Sequence, residues 1–177
     1  MHMRKEIRIA GTGGMGVVLA GVILGHAAVV YSGLEAVQTQ SYGAEARGTA
    51  AKSEVIISDE PIRYPKVGEA DYSVLMSQNA FDLYLREARK GSVVIVDMDL
   101  CDYGEAEADY EVVGVPAMRT ADEIGMRLVA NMVMLGALAK KSKLLTIEAL
   151  EKAIGDLIHS KALQTDIEAV RKGATLV

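Results

Sequence analysis

A glycine-rich turn between an apolar strand and an apolar helix is the feature that most constrains this fold. Residues 5–10 alternate charged and apolar side chains, as a β-strand does, and the run Gly11 to Gly16 (GTGGMG) follows at once. From Gly14 or Met15 to about Tyr31 the chain is apolar nearly all round, which is typical of a helix packed on a sheet. The sequence therefore predicts a strand–turn–helix unit at the start of the domain.

Strand-like and helix-like segments alternate along the rest of the chain. Strands are predicted at residues 34–40, 49–58, 71–76, 92–96 and 110–115, and helices at 81–90, from Thr120, from Thr146 and at 162–172. Gly91 is expected to cap the helix 81–90, and Thr120 with Glu123 fits a capping box that begins a long helix. The continuous β-branched run 92–96 predicts a strand near the sheet centre.

This alternation predicts an α/β fold of the Rossmann-like type. The expected architecture is a three-layer sandwich with a mostly parallel or mixed sheet and additional C-terminal helices. A chain of 177 residues, half of them apolar, is long enough for one well-packed core. We therefore expect a single domain over residues 1–177.

Charge and cysteine content exclude several function classes. The formal net charge of -5 argues against a nucleic-acid partner, because affinity for phosphate backbones comes largely from Lys and Arg. The single Cys101 cannot form an intramolecular disulfide and falls short of the thiolates that hold an iron–sulfur cluster. The N-terminus has no signal-peptide pattern, and the apolar stretch is short for a bilayer span. We expect a cytoplasmic protein with no membrane partner.

Gly11, Gly13 and Gly16 fit the G-x-G-x-x-G pattern, whose glycines allow a tight turn and close approach to a pyrophosphate. A dinucleotide site also needs an acidic residue at the end of the second strand, where this chain has residues 38–40 (QTQ). NAD or FAD binding is therefore disfavoured. Two interpretations stay open: the exposed amides bind an anion, or the glycines only let the helix pack closely.

A second cluster of polar residues follows the second strand, in the segment Ser41–Gly48. Arg47 could donate to a phosphate or carboxylate, Glu45 could orient it, and Tyr42 could supply an aromatic contact. Alternatively, the segment is a polar connection in which Glu45 and Arg47 are solvated or paired. The sequence shows no recognisable catalytic set and no metal-ligand cluster.

Four motifs together resemble the gamma subunit, or gamma domain, of 2-oxoacid:ferredoxin oxidoreductases. They lie in the order found in that family: Gly11–Val17 (GTGGMGV), Ser41–Gly48 (SYGAEARG), Ile57–Ile62 (ISDEPI) and Asn131–Gly136 (NMVMLG). The chain departs from the family at two positions, with Met15 where Gln is usual and Ala44 where Pro is usual. Among family members it looks most like the 2-oxoglutarate-type enzyme.

The resemblance implies a role in the oxidative decarboxylation of a 2-oxoacid with coenzyme A, which yields an acyl-CoA and reduced ferredoxin. It implies partner subunits of the alpha, beta and delta types that hold thiamine diphosphate, Mg²⁺ and iron–sulfur clusters, so that this chain alone holds no cofactor. The isolated chain is then expected to be inactive, and it could form a homodimer. The residues that could contact coenzyme A are Gly11, Thr12, Gly13, Gly14, Met15, Gly16, Val17, Tyr42, Glu45 and Arg47.

Two alternatives of other classes remain at this stage. The chain could be a purely structural subunit that holds its partners together, or a free-standing NAD-binding oxidoreductase. The 2-oxoacid, the electron acceptor and the subunit stoichiometry stay open.

Overall fold

A six-stranded mixed β-sheet forms the centre of the computed structural model, which describes residues 2–42 and 49–177. The strands are β1 (Arg4–Thr12), β2 (Glu35–Ser41), β3 (Ala50–Ser58), β4 (Ala70–Leu75), β5 (Ala88–Asp97) and β6 (Glu111–Val115). The helices are α1 (Val17–Ser32), α2 (Gln78–Tyr84), α3 (Ala117–Ile124), α4 (Ala130–Ser142), α5 (Ile147–Leu157) and α6 (Leu163–Ala174). Short 3₁₀ segments lie at Leu85–Glu87, Gly104–Ala108 and Arg127–Val129.

The strand order is β2-β3-β1-β4-β5-β6, and one strand runs against the others. Strands β1, β4, β5 and β6 pair in parallel, whereas β3 is antiparallel to both β1 and β2. The prediction of a mixed α/β sheet is confirmed. Because β3 lies between β1 and β2, helix α1 crosses over β3 on its way to the outermost strand.

The two faces of the sheet are covered unequally. Helices α1 and α3 to α6 contribute to the larger hydrophobic cluster, into which β1 directs Ile7 and Ile9. A smaller cluster on the other face includes Ala10 of β1 and Phe81 of α2. The side chains of a strand alternate between faces, so both faces of β1 are buried.

The face of the sheet that carries the smaller cluster also contains a buried cation. Arg8 is 1 % exposed, and its guanidinium Nη2 lies 2.6 Å from Glu54 Oε2 on the neighbouring β3. A second contact, of 3.4 Å, joins it to Glu87. Because an unpaired buried charge is costly, these pairs are needed to keep Arg8 beneath the segment that links α2 to β5.

Two boundaries differ from the sequence prediction around residues 77–97. The predicted helix 81–90 is wrong, because α2 begins earlier, where Ser77 Oγ accepts from the Ala80 amide at 3.2 Å, and ends at Tyr84. The chain then enters β5 at Ala88, which pairs with Ala70 of β4. Gly91 consequently lies inside a strand and does not cap a helix.

The predicted position of the run 92–96 is also wrong. It belongs to β5, which is second from the edge of the sheet. Val94, Ile95 and Val96 are nevertheless fully buried, because both faces of the strand are covered. Burial of both faces, and not a central position, explains the continuous apolar run.

The predicted capping box at Thr120 is wrong as well. Helix α3 begins at Ala117, directly after Pro116, and the Thr120 amide already bonds to the Pro116 carbonyl at 2.9 Å. The long helix predicted there is interrupted at Gly125, whose φ of 102° ends α3. By contrast, Thr146 caps α5 as predicted, with its Oγ1 accepting from the Ala149 amide at 3.1 Å.

Candidate binding site at the glycine-rich turn

The glycine-rich run forms the connection between β1 and α1. Gly11 and Thr12 end the strand, and Val17 begins the helix. The Met15 amide donates to the Thr12 carbonyl at 3.1 Å, which closes a tight turn. Gly14 and Gly16 have φ angles of 91° and 74°, in the left-handed region that favours glycine. The sequence Gly-Met-Gly thus meets the backbone demands of this turn.

The glycines of the turn serve two different purposes. A Cβ on Gly16 would lie 2.4 Å from Asn131 Nδ2, and one on Gly11 would lie 3.1 Å from Met15 Sδ. These two glycines permit close packing, as one of the two interpretations of the sequence requires. Gly14 is different, since none of the described residues lies within 4 Å of its Cβ position and the residue is exposed.

Several backbone amides at this turn point to no acceptor in the described part of the chain. The Gly13 amide donates to the Thr49 carbonyl at 3.1 Å, and Ala20 donates to Gly16 at 3.0 Å. Within residues 2–42 and 49–177, the amides of Gly14, Gly16 and Val17 have no such partner. Gly16 is the N-cap of α1 and caps it with no side chain. Free amides at the positive end of a helix dipole are suited to an anion.

Asn131 fixes the orientation of the turn. Its Nδ2 donates to the Gly16 carbonyl at 3.0 Å, and its Oδ1 accepts from the Met132 amide at 2.9 Å. The side chain is buried at the start of α4, far along the chain from the turn that it holds. Asn131 was assigned no contact from the sequence. A single polar side chain within the apolar run 130–139 could have indicated that it has a hydrogen-bonding partner.

The turn lies at the carboxyl ends of the parallel strands, at a point where successive helices pack on opposite faces of the sheet. Strands β1 and β4 are parallel neighbours, and the helices that follow them, α1 and α2, contribute to the clusters on opposite faces. The Met76 amide, just past β4, donates to the Ala10 carbonyl at 2.9 Å. Ligands of open α/β sheets bind outside the strand ends at such a switch point.

Two carboxylates at the end of β5 organise the neighbouring connection. Asp97 is buried, and it accepts from the amides of Asp99 and Met118, each at 3.0 Å, which ties β5 to the start of α3. Burial raises the pKa of the Asp97 carboxyl, against the lowering effect of these amides. Asp99 forms a two-point pair with Arg119. Both carboxylates therefore have structural partners.

The remaining predicted residues lie beyond the second strand. Tyr42 directly follows β2 and is 66 % exposed. Glu45 and Arg47 lie outside the described residues. The segment that contains them is flanked by Tyr42 and by Thr49, whose carbonyl contacts Gly13. The described flank at Thr49 therefore lies against the glycine-rich turn.

Potential metal and cofactor ligands lie elsewhere. Cys101 is 6 % exposed, and burial raises the pKa of its thiol to about 12. Among the described residues, His2, Asp59 and Glu60 form the group with metal-ligand spacing, on the exposed surface at the opposite end of β1. In the same described ranges, no helix has both the length and the apolar character needed to cross a membrane.

Comparison with known proteins identifies relatives over nearly the whole chain. A family model described as pyruvate ferredoxin/flavodoxin oxidoreductase matches residues 6–176. The 2-oxoglutarate synthase subunit KorC of Methanocaldococcus jannaschii is 50 % identical over 175 residues, which cover 98 % of this chain and 94 % of that protein. KorC of Methanothermobacter marburgensis is 46 % identical over 99 % of this chain and 97 % of that protein.

Two solved structures share the fold closely. The gamma subunit of a keto/oxoacid ferredoxin oxidoreductase from Geobacter sulfurreducens superposes with a TM-score of 0.86 at 36 % identity, covering 98 % of this chain and 96 % of that one. The 2-oxoglutarate:ferredoxin oxidoreductase from Magnetococcus marinus, solved with 2-oxoglutarate, coenzyme A and succinyl-CoA bound, also gives a TM-score of 0.86, at 25 % identity. There the match covers 98 % of this chain and 31 % of the longer one.

Proposed function

The chain belongs to the pyruvate ferredoxin/flavodoxin oxidoreductase family, and from this membership we propose that it is the gamma subunit of a 2-oxoglutarate:ferredoxin oxidoreductase. The resemblance inferred from the four motifs is thereby confirmed at the level of the family. The proposed reaction is the decarboxylation of 2-oxoglutarate with coenzyme A, which yields succinyl-CoA and reduced ferredoxin. The identities of 45 % to 50 % with three KorC subunits support 2-oxoglutarate as the substrate.

Other polypeptides supply the rest of this enzyme. The chain corresponds to 31 % of the matched chain of the Magnetococcus marinus enzyme, whereas it matches KorC subunits almost end to end. We assign the remaining parts to subunits of the alpha, beta and delta types. These subunits would hold thiamine diphosphate, Mg²⁺ and the iron–sulfur clusters, since the one buried thiol of this chain cannot ligate a cluster.

The contribution of this chain to the chemistry is a contact with coenzyme A. The observation that carries this proposal is at the start of α1, where the described residues supply no acceptor for the amides of Gly14, Gly16 and Val17. Backbone donors at a helix N-terminus are suited to the pyrophosphate of coenzyme A. Gly13 and Gly14 are exposed, so a ligand can approach them, while Thr12, Met15 and the packed Gly11 shape the turn.

Arg47, Glu45 and Tyr42 complete the proposed contact. Arg47 is two residues from Thr49 along the chain. Thr49 in turn contacts Gly13 through its carbonyl oxygen. An arginine this close to Thr49 in the chain can donate to a phosphate of the same ligand, with Glu45 orienting it and Tyr42 contacting an apolar part.

The strand order disfavours a nicotinamide nucleotide at this turn. In a dinucleotide-binding fold, the second strand lies beside the first and its terminal acid reaches the ribose. Here β3 separates β1 from β2, which places the end of β2 two strand spacings, or about 10 Å, from β1. The end of β2 also carries Gln38 and Gln40 in place of an acid.

The test is a coenzyme A titration of the assembled complex carrying Arg47→Ala, with Arg63→Ala as the matched control. Arg63 is exposed and contributes to a surface groove with Arg4, near the start of β1. Loss of a charge-assisted hydrogen bond to phosphate, worth about 1.5–3 kcal/mol, should raise the KM for coenzyme A by about 10- to 150-fold. The KM for 2-oxoglutarate and the assembly of the complex should stay unchanged.

The same titration separates the proposal from a purely structural role. A structural subunit predicts that Arg47→Ala leaves coenzyme A dependence intact and alters, if anything, assembly. Unchanged coenzyme A affinity in a fully assembled complex would therefore refute the binding role and favour the structural one.

A further inference from the structure

The outer face of α1 is apolar and exposed. Val29 and Val30 are 51 % and 53 % exposed, and Leu19 and Val22 are 40 % and 36 % exposed. These side chains lie on the side of the helix opposite Leu24, which is buried. Apart from His26, whose Nε2 lies 2.9 Å from Asp156 Oδ2 of α5, the helix is thus apolar on its solvent side as well as on its sheet side. This pattern is typical of a helix covered on both sides.

Other helices on the same face of the sheet behave differently. α5 exposes Glu148 and Lys152, which form an ion pair at 3.3 Å, and α6 exposes Arg171. These helices have the polar outer face that solvent requires. The contrast within one layer indicates that the outer face of α1 is covered in the working protein.

The strand next to α1 lacks the usual protection of a sheet edge. Strand β2 is outermost, and within residues 2–42 and 49–177 no strand pairs with its outer side. Its sequence, EAVQTQS, contains neither Lys nor Pro, and its register with β3 runs without a bulge. Free edges of this kind are normally blocked by charges, prolines or bulges, unless another strand pairs with them.

A shallow groove of about 340 Å³ joins these two features. Val22, Val29 and Val30 line it from α1, and Ala36 and Gln38 line it from β2. The exposed valines and the free strand edge are therefore parts of one continuous surface. We call this surface, formed by the outer side of α1 and the outer edge of β2, the α1–β2 face.

We propose that the α1–β2 face binds a second copy of this chain about a two-fold axis. In this arrangement β2 pairs antiparallel with β2 of the second copy, centred on Gln38, and the two α1 helices lie side by side. The pairing places Val37 opposite Thr39 and Glu35 opposite Ser41, so no like charges face each other. Gln38, whose Nε2 donates to Ser53 Oγ at 2.9 Å, meets its own copy at the axis. A two-fold interface must be self-complementary in this way.

The size of the face sets the expected strength of the dimer. Seven strand residues span about 23 Å and a 16-residue helix about 24 Å. With a width of about 15 Å, each copy would bury on the order of 350 Å². This is smaller than a standard specific interface, so the dimer should be weak and dissociate on dilution.

Sedimentation velocity of the full-length chain from about 1 to about 300 µM tests the proposal, since a weak dimer has a micromolar dissociation constant. Val29→Lys introduces a charge on the helix side, and Thr39→Lys introduces one on the strand edge. The matched control is Leu83→Lys, because Leu83 is 49 % exposed but lies on α2, against the other face of the sheet. Far-UV circular dichroism verifies the fold of each variant.

The expected result is a concentration-dependent shift from monomer to dimer for the wild type and for Leu83→Lys. Val29→Lys and Thr39→Lys should remain monomeric over the same range. A wild type that is monomeric at the highest concentration would overturn the proposal, as would a folded Val29→Lys or Thr39→Lys chain that dimerises like the wild type. Because coenzyme A is absent from this experiment, its outcome is independent of the proposed binding role.

Discussion

Helices α4 and α6 cross so closely that adding a single methyl group at the crossing should force them apart. At Gly136 of α4, an added Cβ would lie 2.0 Å from the carbonyl oxygen of Val170. At Gly173 of α6, an added Cβ would lie 1.9 Å from the carbonyl oxygen of Val133. Both contacts are with backbone atoms of the opposite helix, which cannot rotate away as a side chain can. We predict that Gly136→Ala destabilises the fold.

The expected magnitude follows from two opposing contributions. An ordinary contact needs at least about 3.2 Å, so α6 must move by about 1 Å, and overpacking of this kind costs about 3 kcal/mol at the upper end of its usual range. Replacing glycine with alanine within a helix raises the free energy of unfolding by about 1 kcal/mol. The free energy of unfolding should therefore fall by about 2 kcal/mol.

Gly155→Ala is the matched control. Gly155 lies in α5 and is exposed, and nothing lies within 4 Å of its Cβ position. At this position alanine has the higher helix propensity and meets no clash, so the substitution should stabilise the protein by about 1 kcal/mol. The two substitutions are thus expected to act in opposite directions.

Urea unfolding followed by far-UV circular dichroism measures both effects. With a slope of about 2 kcal/mol per molar urea, the midpoint should fall by about 1 M for Gly136→Ala and rise by about 0.5 M for Gly155→Ala. A Gly136→Ala midpoint at or above that of the wild type would show that the two helices can separate freely. That result would refute the close-packing argument.

Two further predictions concern titratable groups. Burial raises the pKa of Cys101 to about 12. The native thiol should therefore not react with a disulfide reagent at about pH 8, and it should react fully once urea unfolds the chain. Rapid labelling of the native protein would contradict this prediction. Hydrogen bonds from Tyr31 and with His26 lower the pKa of Asp156 from 3.8, so its stabilising contribution is present above that value and is lost as the pH falls through the folded-state pKa. Asp156→Asn should therefore flatten the fall in stability on the acid side, as measured by urea midpoints between about pH 2 and pH 5. An unchanged pH profile would refute the role of this carboxylate.

The sequence was informative about the chemistry of the turn but not about its partners in space. The glycine pattern between a strand and a helix predicted the turn, since its left-handed backbone angles favour glycine. It could not separate packing from binding, because that depends on what lies near each Cβ position. The structure shows that Gly16 packs against Asn131, whereas no described residue lies within 4 Å of the Cβ position of Gly14.

Secondary structure was predictable where local signals were strong. The alternating pattern of β1 and the cap at Thr146 were correctly identified, because both depend on neighbouring residues alone. The helix predicted at 81–90 failed, because pairing between Ala70 and Ala88 extends β5 backwards into that range. The capping box at Thr120 failed because Pro116, together with the Asp97 carboxylate on the Met118 amide, starts the helix earlier.

The sequence by itself determined the local units of this protein: an apolar strand, a glycine-rich turn, an apolar helix, and the motifs that mark its family. Local propensity and hydrophobic period act over a few residues, so they can be recognised without a structure. Only the tertiary structure decided that β3 lies between β1 and β2 and that α1 exposes apolar side chains beside β2, the outermost strand of the described sheet. Strand order and exposure follow from contacts between residues far apart in the chain, and no short stretch of sequence specifies these.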